Sequence, residues 1–469
     1  MNRLLHSDRR QQLACLLREA GGGIALVPTA PERVRNGDSH HPFRHDSHFH
    51  YLSGFDEPHS WLALRSDGRS VLFCRTQNPE REIWDGHRLG PGAAPAFLGV
   101  DEAHSIECLD ELMPQLLSQQ QTVWTLFDTF DGAEQCLSGW LAAARARARH
   151  GIEAPTTHRD LGPLLSEMRL IKDPGEIDTM RRAARISAGA HARAMRFCAG
   201  RFSAQPTGGV REYEIEAELL HEFRRHGAQS PAYNSIVAAG ANACVLHYAA
   251  GNTELQAGEL CLIDAGCELD GYASDITRTF PANGRFTGPQ RTLYDIVLAA
   301  QDAAVAATHP GARQRDAHDA AVRVLSQGML DTGLLSQDLH GNVDDIIASA
   351  AYRQFYMHGT GHWLGRDVHD VGEYLALEEA PVEQPDGLGN TVVKKPSRML
   401  QPGMVVTVEP GLYVRPAEHV PEHYWNIGIR IEDDAVITPT GCELISRGVP
   451  VKADEIEALM AEAATATAT

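Results

Sequence analysis

The sequence predicts an α+β protein of two domains, an N-terminal α/β domain followed by a larger α+β domain. Three observations carry this. At 469 residues the chain exceeds what a single core organises. Its texture changes near residue 170 from mixed strand and helix to long amphipathic helices. Beyond that point helices and acid-bearing hairpins come twice, as expected of an internally duplicated unit.

The elements follow in order. Within 1–170, Trp61 to Leu64 and Ser70 to Phe73 flank Ser66-Asp67-Gly68-Arg69, and Asp-Gly between alternating apolar runs predicts a hairpin. The histidines His40, His41, His45, His48 and His50 have no regular ligand spacing and read as structural or rim residues. Asp173-Pro174-Gly175-Glu176 supplies an N-cap, a proline at N1 and a glutamate at N3, which start a helix. Ile177, Met180, Ala184, Ala188, His191, Met195 and Cys198 continue it at helical spacing. The second domain is therefore set at 171–469. Tyr213 to His226 is a further amphipathic helix closed by Gly227, and Gln290 to Thr308 with Asp316 to Leu330 form a helix pair. Glu373 to Lys395 is rich in Pro, Gly and Glu and predicts a surface loop. The tail Ala461 to Thr469 is Ala/Thr low complexity and is expected to fray.

Composition excludes several classes. A net charge of −20 argues against nucleic acid or anionic membrane as partner, since both require basic patches. Nine scattered cysteines without a CxxC pair read as reduced thiols. No secretory signal is visible in Met1 to Ala20 and no apolar run is long enough to span a bilayer, so the expected location is the cytoplasm.

The chemistry lies in two parallel strings. Leu260-Cys261-Leu262-Ile263-Asp264-Ala265-Gly266 and Val405-Val406-Thr407-Val408-Glu409-Pro410-Gly411 each run from an apolar strand into a carboxylate and a glycine. Each is followed by a strand-like segment with another acid, Asp275 within Tyr272 to Phe280 and Glu432 within Ile427 to Ile437. Taken singly, such an acid is most often a strand-end carboxylate or part of an ion pair. Four in apolar contexts, with His358, His362 and His369 between them, require something positive to meet them. Four carboxylates and an imidazole are too many ligands for one open tetrahedral zinc site. They suit two harder divalent ions, manganese first, with cobalt or zinc able to substitute. Strand alternation places Arg430 on the face of Glu432, where it can fix a carboxylate without protonating it.

The order Asp264, Asp275, His362, Glu409, Glu432, with the strings IDAGCELDGYASDITRTFPANGRFTGPQ, MHGTGHWLGRDVHDVG, TVEPGLYV and GIRIEDD, resembles aminopeptidase P. That family cleaves before proline and has the pita-bread fold shared with prolidase, methionine aminopeptidase and creatinase. HPFRHDSHFHYLSGFDEP and EIWDGHRLG resemble its N-terminal domain. The resemblance implies that Asp264 is a terminal ligand of one metal, that Asp275 and Glu432 bridge two metals, and that His362 and Glu409 complete the shell of the second metal. It places His247, His358 and His369 on the substrate side, Tyr233 in the cleft, and Trp84 within reach of a neighbouring subunit of a homodimer or homotetramer. On residues alone, His247 reads as an ordinary loop histidine and Trp84 equally as a packed aromatic.

The implied reaction is hydrolysis of the bond between an N-terminal residue and a following proline. The nucleophile is water activated by two metals. His369 stabilises the developing charge, Glu409 shuttles the proton, and Arg430 supports the ligands. Peptides with proline second are the expected substrates. Alternatives within the fold are prolidase and a non-catalytic binding protein. The 373–395 stretch is longer than the resemblance leads one to expect, and Arg398, beside Lys394 and Lys395, is the candidate there for gripping substrate.

Overall fold

The structure is a computed structural model that describes residues 3–127, 132–147, 151–206, 209–386 and 390–467. It divides into two compact units, 1–168 and 169–469.

In the first unit a six-stranded mixed sheet has the order Glu102–Ser105, Ser70–Cys74, Trp61–Arg65, Ile24–Pro28, Thr122–Thr125, Thr157–Asp160. The Asp67-Gly68 turn joins its central hairpin, with Trp61 opposite Phe73. Side chains alternate between two cores: Ala25, Val27, Leu62 and Leu72 pack with Leu13, Leu17 and Phe49, while Leu26, Ala63 and Phe73 pack with Met113, Leu137 and Trp140. The period of two thus covers both faces with helices. The described members of the His40–His50 cluster include a stacked pair, His45 and His50, with ring centroids 3.9 Å apart.

The second unit opens with α1 (Pro174–Ala204), whose capping box is formed by Asp173 and Glu176, and α2 (Glu212–Arg225) packs against it. Strands β1 (Ile236–Ala239), β2 (Leu260–Asp264) and β3 (Thr277–Pro281) form an antiparallel sheet with β2 central. A second helix pair follows, α3 (Gly288–Ala307) and α4 (Gln314–Asp331). Then β4 (Val405–Val408), β5 (Gly411–Val414), β6 (Ile427–Arg430), β7 (Asp433–Thr438) and β8 (Gly441–Leu444) make a β4-β7-β8 sheet and a β5-β6 hairpin. The sequence of helix pair, acid-bearing strands, helix pair, acid-bearing strands is therefore present. One apolar core runs through both repeats, from Met195 and Phe223 to Tyr294, Leu325 and Ile429.

Three local expectations are corrected. Asp275 and Glu432 do not ride on continuous strands: Asp275 lies between the two-residue strand Tyr272–Ala273 and β3, and Glu432 between β6 and β7. The breaks arise because the chain changes partners, Tyr272–Ala273 pairing with Cys267–Leu269 and β3 with β2. The 373–395 stretch is not loop throughout, since Val382–Pro385 pairs with Thr391–Lys394 as a hairpin. The tail does not fray at Ala461: α5 spans Ala453–Thr467, packs on α1 and buries Ile456 and Met460. No helix among the described residues is long and apolar enough to cross a membrane.

Candidate metal centre and substrate cavity

The two strand-end motifs deliver their carboxylates to one cavity of about 530 Å³, with Asp264, Asp275, His362, Glu409 and Glu432 in its wall. One ligand atom from each of Asp275, His362 and Glu432 lies within 4.8 Å of the others. Glu409 joins them through His362, whose Nε2 is 3.6 Å from Oε1, and Asp264 through Tyr233, whose hydroxyl oxygen lies 2.7 Å from Asp264 Oδ1 and 2.5 Å from Asp275 Oδ1, with one hydrogen to serve both. His362 Nδ1 lies 3.0 Å from the Trp363 carbonyl, so this nitrogen donates and Nε2 faces the acids.

The charge balance is unfavourable as it stands. Burial pushes the Asp275 carboxyl up, with Asp264 adding to it, and lifts Glu432 well above the carboxylate range, with Asp275 adding to it. Burial likewise lifts Glu409 to about 7 although His362 and Arg430 pull it back. Burial opposes protonation of His362, yet its bond to Asp275 and the Glu409 charge raise it to about 9. Among the described residues Arg430 is the only guanidinium in the cavity lining, and it is committed to Asp264 at 2.6 Å, Thr277 at 3.2 Å and Tyr413 at 3.0 Å. Carboxylates that crowd together in low dielectric, with an imidazole offering its lone pair, are a donor set for divalent cations. The residues present fit such ions.

The substrate-side candidates reach the same cavity. His247, Tyr233, His358 and His369 all line it, with Ile236, Leu246 and Val368 as its apolar part. His358 Nε2 is 2.8 Å from the Tyr413 hydroxyl, and burial and Arg430 depress its pKa to about 3, which keeps it neutral. His369 packs edge-on to His362 at 4.4 Å between centroids, and burial, then His362, lowers its pKa. Two candidates lie elsewhere. Arg398 is not in the lining; its N–H donates to Tyr374 and its carbonyl accepts from Gln314, both at 2.9 Å. Trp84 is in the first unit on the short helix Pro79–Asp85, 83% exposed beside Ile83 at 82%.

Sequence reasoning missed the groups that support the candidate ligands. Thr277 donates to Glu432 at 2.7 Å, and the Asp275 N–H donates to buried Asp434 at 3.2 Å. Glu212, wholly buried, accepts from the N–H groups of Ala239 and Gly251 and from Asn242 and Tyr248, and so pins both ends of the segment bearing His247. Glu212 stands at a helix start, where an acid is ordinary, and only tertiary structure shows what it holds.

Residues 178–439 match metallopeptidase family M24, and residues 6–124 match the aminopeptidase P N-terminal domain. Over 459 residues, 97% of each chain, the sequence is 44% identical to the Xaa-Pro aminopeptidase of Escherichia coli K12. The chain belongs to the aminopeptidase P family. Among solved structures, Pseudomonas aeruginosa aminopeptidase PepP is 44% identical with a TM-score of 0.89 over 99% of each chain. A glutamate-to-alanine variant of Escherichia coli aminopeptidase P in complex with substrate is 43% identical, with the same TM-score and coverage. The aminopeptidase P architecture, an N-terminal domain before a pita-bread metallopeptidase domain, is thus the architecture of this chain, as the motifs led one to expect.

Proposed function

We propose that the protein is a Xaa-Pro aminopeptidase that uses two divalent ions, manganese first among them, to release an N-terminal residue from peptides with proline second. The observation that carries this is the convergence of Asp264, Asp275, His362, Glu409 and Glu432 on one cavity whose other wall is histidine and apolar side chains. Membership of the aminopeptidase P family and 44% identity to a Xaa-Pro aminopeptidase support it.

When bound, the ions supply Lewis acidity and lower the pKa of water so that a nucleophile exists near neutral pH. Asp264, Asp275, His362, Glu409 and Glu432 would hold them, and Arg430 and Tyr233 orient Asp264. His369 donates to the oxygen of the scissile carbonyl as charge gathers there. Glu409 carries a proton to the proline nitrogen, a tertiary amide nitrogen without a hydrogen and a poor leaving group until protonated. Neutral His358 packs beside that ring without adding charge, and His247 closes the side of the cavity toward the free amine. Arg398, outside the lining, is kept as the candidate for gripping the far end of the substrate.

Exposed Ile83 and Trp84 form an apolar surface that a second subunit would cover, which supports a homodimer or homotetramer. Nine cysteines without a disulfide accord with the cytoplasm.

Chelation should abolish cleavage of Ala-Pro-Ala, and manganese should restore it better than magnesium, because an imidazole and shared carboxylates must replace most of the ions' water. Ala-Pro should be the slower substrate. Full activity in chelator overturns the metal assignment, and a clear preference for the dipeptide makes the chain a prolidase.

A further inference from the structure

His362 and His369 stand at the two ends of one loop, yet the loop holds them differently. His362 is oriented by the Trp363 carbonyl. The His369 ring has no hydrogen-bond partner among the described residues and touches His362 edge-on. Its direction is therefore set by the backbone around it, and the next residue is Asp370.

Asp370 is paired through both of its carboxylate oxygens. Its Oδ1 accepts from Arg169 Nη2 at 2.5 Å and its Oδ2 from Lys172 Nζ at 2.9 Å, with all three side chains 1% exposed. Arg169 also donates to Asp367 at 2.6 Å. The loop closes on itself where the Asp370 N–H donates to the Trp363 carbonyl at 2.9 Å. It is tied toward the acids where the Gly365 carbonyl accepts from the Ala273 N–H at 2.8 Å, just before Asp275. Packing leaves no room for adjustment. A Cβ on Gly365 would lie 2.1 Å from Asp370 Oδ2 and 2.8 Å from Lys172 Cε, and one on Gly372 would lie 2.8 Å from Leu170 Cδ1.

We infer that Asp370, gripped by Arg169 and Lys172, is a positioning residue that aims His369 into the cavity. Three charged groups buried together give little net stability over an apolar packing of the same shape, but their directional bonds fix one geometry. A side chain that stabilises charge in the transition state needs that fixity, because small displacements cost rate. The catalytic consequence rests on the aminopeptidase reading above. The structural consequence stands apart from it.

The test uses the full-length Lys172→Met/Asp370→Asn double variant, which removes one charge of each sign and leaves no lone buried ion. In the manganese-loaded enzyme kcat for Ala-Pro-Ala should fall roughly 10-fold or more, with KM within about twofold and bound metal unchanged. In the metal-free chain, amide hydrogen exchange over 362–372 should quicken while the rest of the second unit keeps its rates. Should the double variant not fold, Lys172→Met alone, which keeps the Arg169–Asp370 pair, should show the same changes at smaller amplitude. Wild-type kcat per loaded enzyme, or a loss proportional to lost metal, overturns the inference. So does unchanged exchange over 362–372. If the wild-type chain cleaves no proline peptide with any metal, the functional reading fails, and the exchange measurement still decides whether Asp370 holds the loop.

Discussion

Thr277 does for Glu432 what no charged side chain among the described residues does. Its hydroxyl donates to Glu432 Oε2 at 2.7 Å and accepts from Arg430 Nε at 3.2 Å, joining one acid to the guanidinium that holds another. Thr277→Val keeps the shape and removes the donor. Metal affinity should fall by about 10- to 100-fold, measured by competition with a chelator of known affinity, while the fold remains. Wild-type affinity would mean that Glu432 needs no such support. His369→Ala should instead lower kcat by on the order of 10²-fold at full metal occupancy, as removal of a transition-state donor does. A change in KM alone would make it a binding residue. At this scale the sequence was legible where residue type is improbable in its setting. A carboxylate at the end of an apolar strand stands out, whereas threonine in a strand is ordinary and Thr277 leaves no trace. Asp434 shows the same limit, since its role depends on facing the Asp275 N–H across the two repeats.

Elements were legible where local chemistry alone decides them. The Asp173–Glu176 capping box starts α1 as the residues require, and Asp67-Gly68 turns the hairpin of the first unit. They were not legible where the chain changes partners. Tyr272 to Phe280 reads as one strand, but Gly266 lets the backbone at Ser274 cross so closely that a Cβ there would lie 1.7 Å from the Ser274 carbonyl oxygen. The strand breaks at that crossing, and Asp275 faces the cavity from the break. Gly266→Ala must push the two segments apart. It should destabilise the chain by roughly 2–4 kcal/mol in denaturant unfolding, and metal binding should suffer with it. A loss under about 0.5 kcal/mol, the ordinary range of a surface change, would show that the crossing has slack. The hairpin within 373–395 escaped for a different reason: Pro and Gly mark turns, but not whether the flanks pair.

At the scale of the whole molecule the buried acids make stability depend on pH in a direction that metal reverses. In the metal-free chain Asp275, Glu409 and Glu432 hold protons more tightly than they do unfolded, Glu409 to about 7 from an ordinary 4.5. Their contribution to stability is complete below the unfolded values and is lost as pH rises, for Glu409 through about 7. His362 acts in the same sense, with a contribution complete below 6.5 that disappears as pH climbs through about 9. Asp370 and Asp433, despite burial, are held below the ordinary 3.8 by neighbouring cations, so what they contribute is lost only in stronger acid. On the proposed ligand set, divalent ions would take the place of those protons and of the His362 charge, and their binding would tighten as these groups deprotonate. The difference in Tm between manganese-loaded and metal-free protein should therefore widen between about pH 5.5 and 8.5, by on the order of 5 °C. A net charge of −20 adds repulsion at the higher pH, but that is long-range and screened. In about 0.5 M salt the widening should persist if it belongs to the buried cluster. If it vanishes in salt, surface charge is its source and the acids of the cavity are already neutralised by something other than metal.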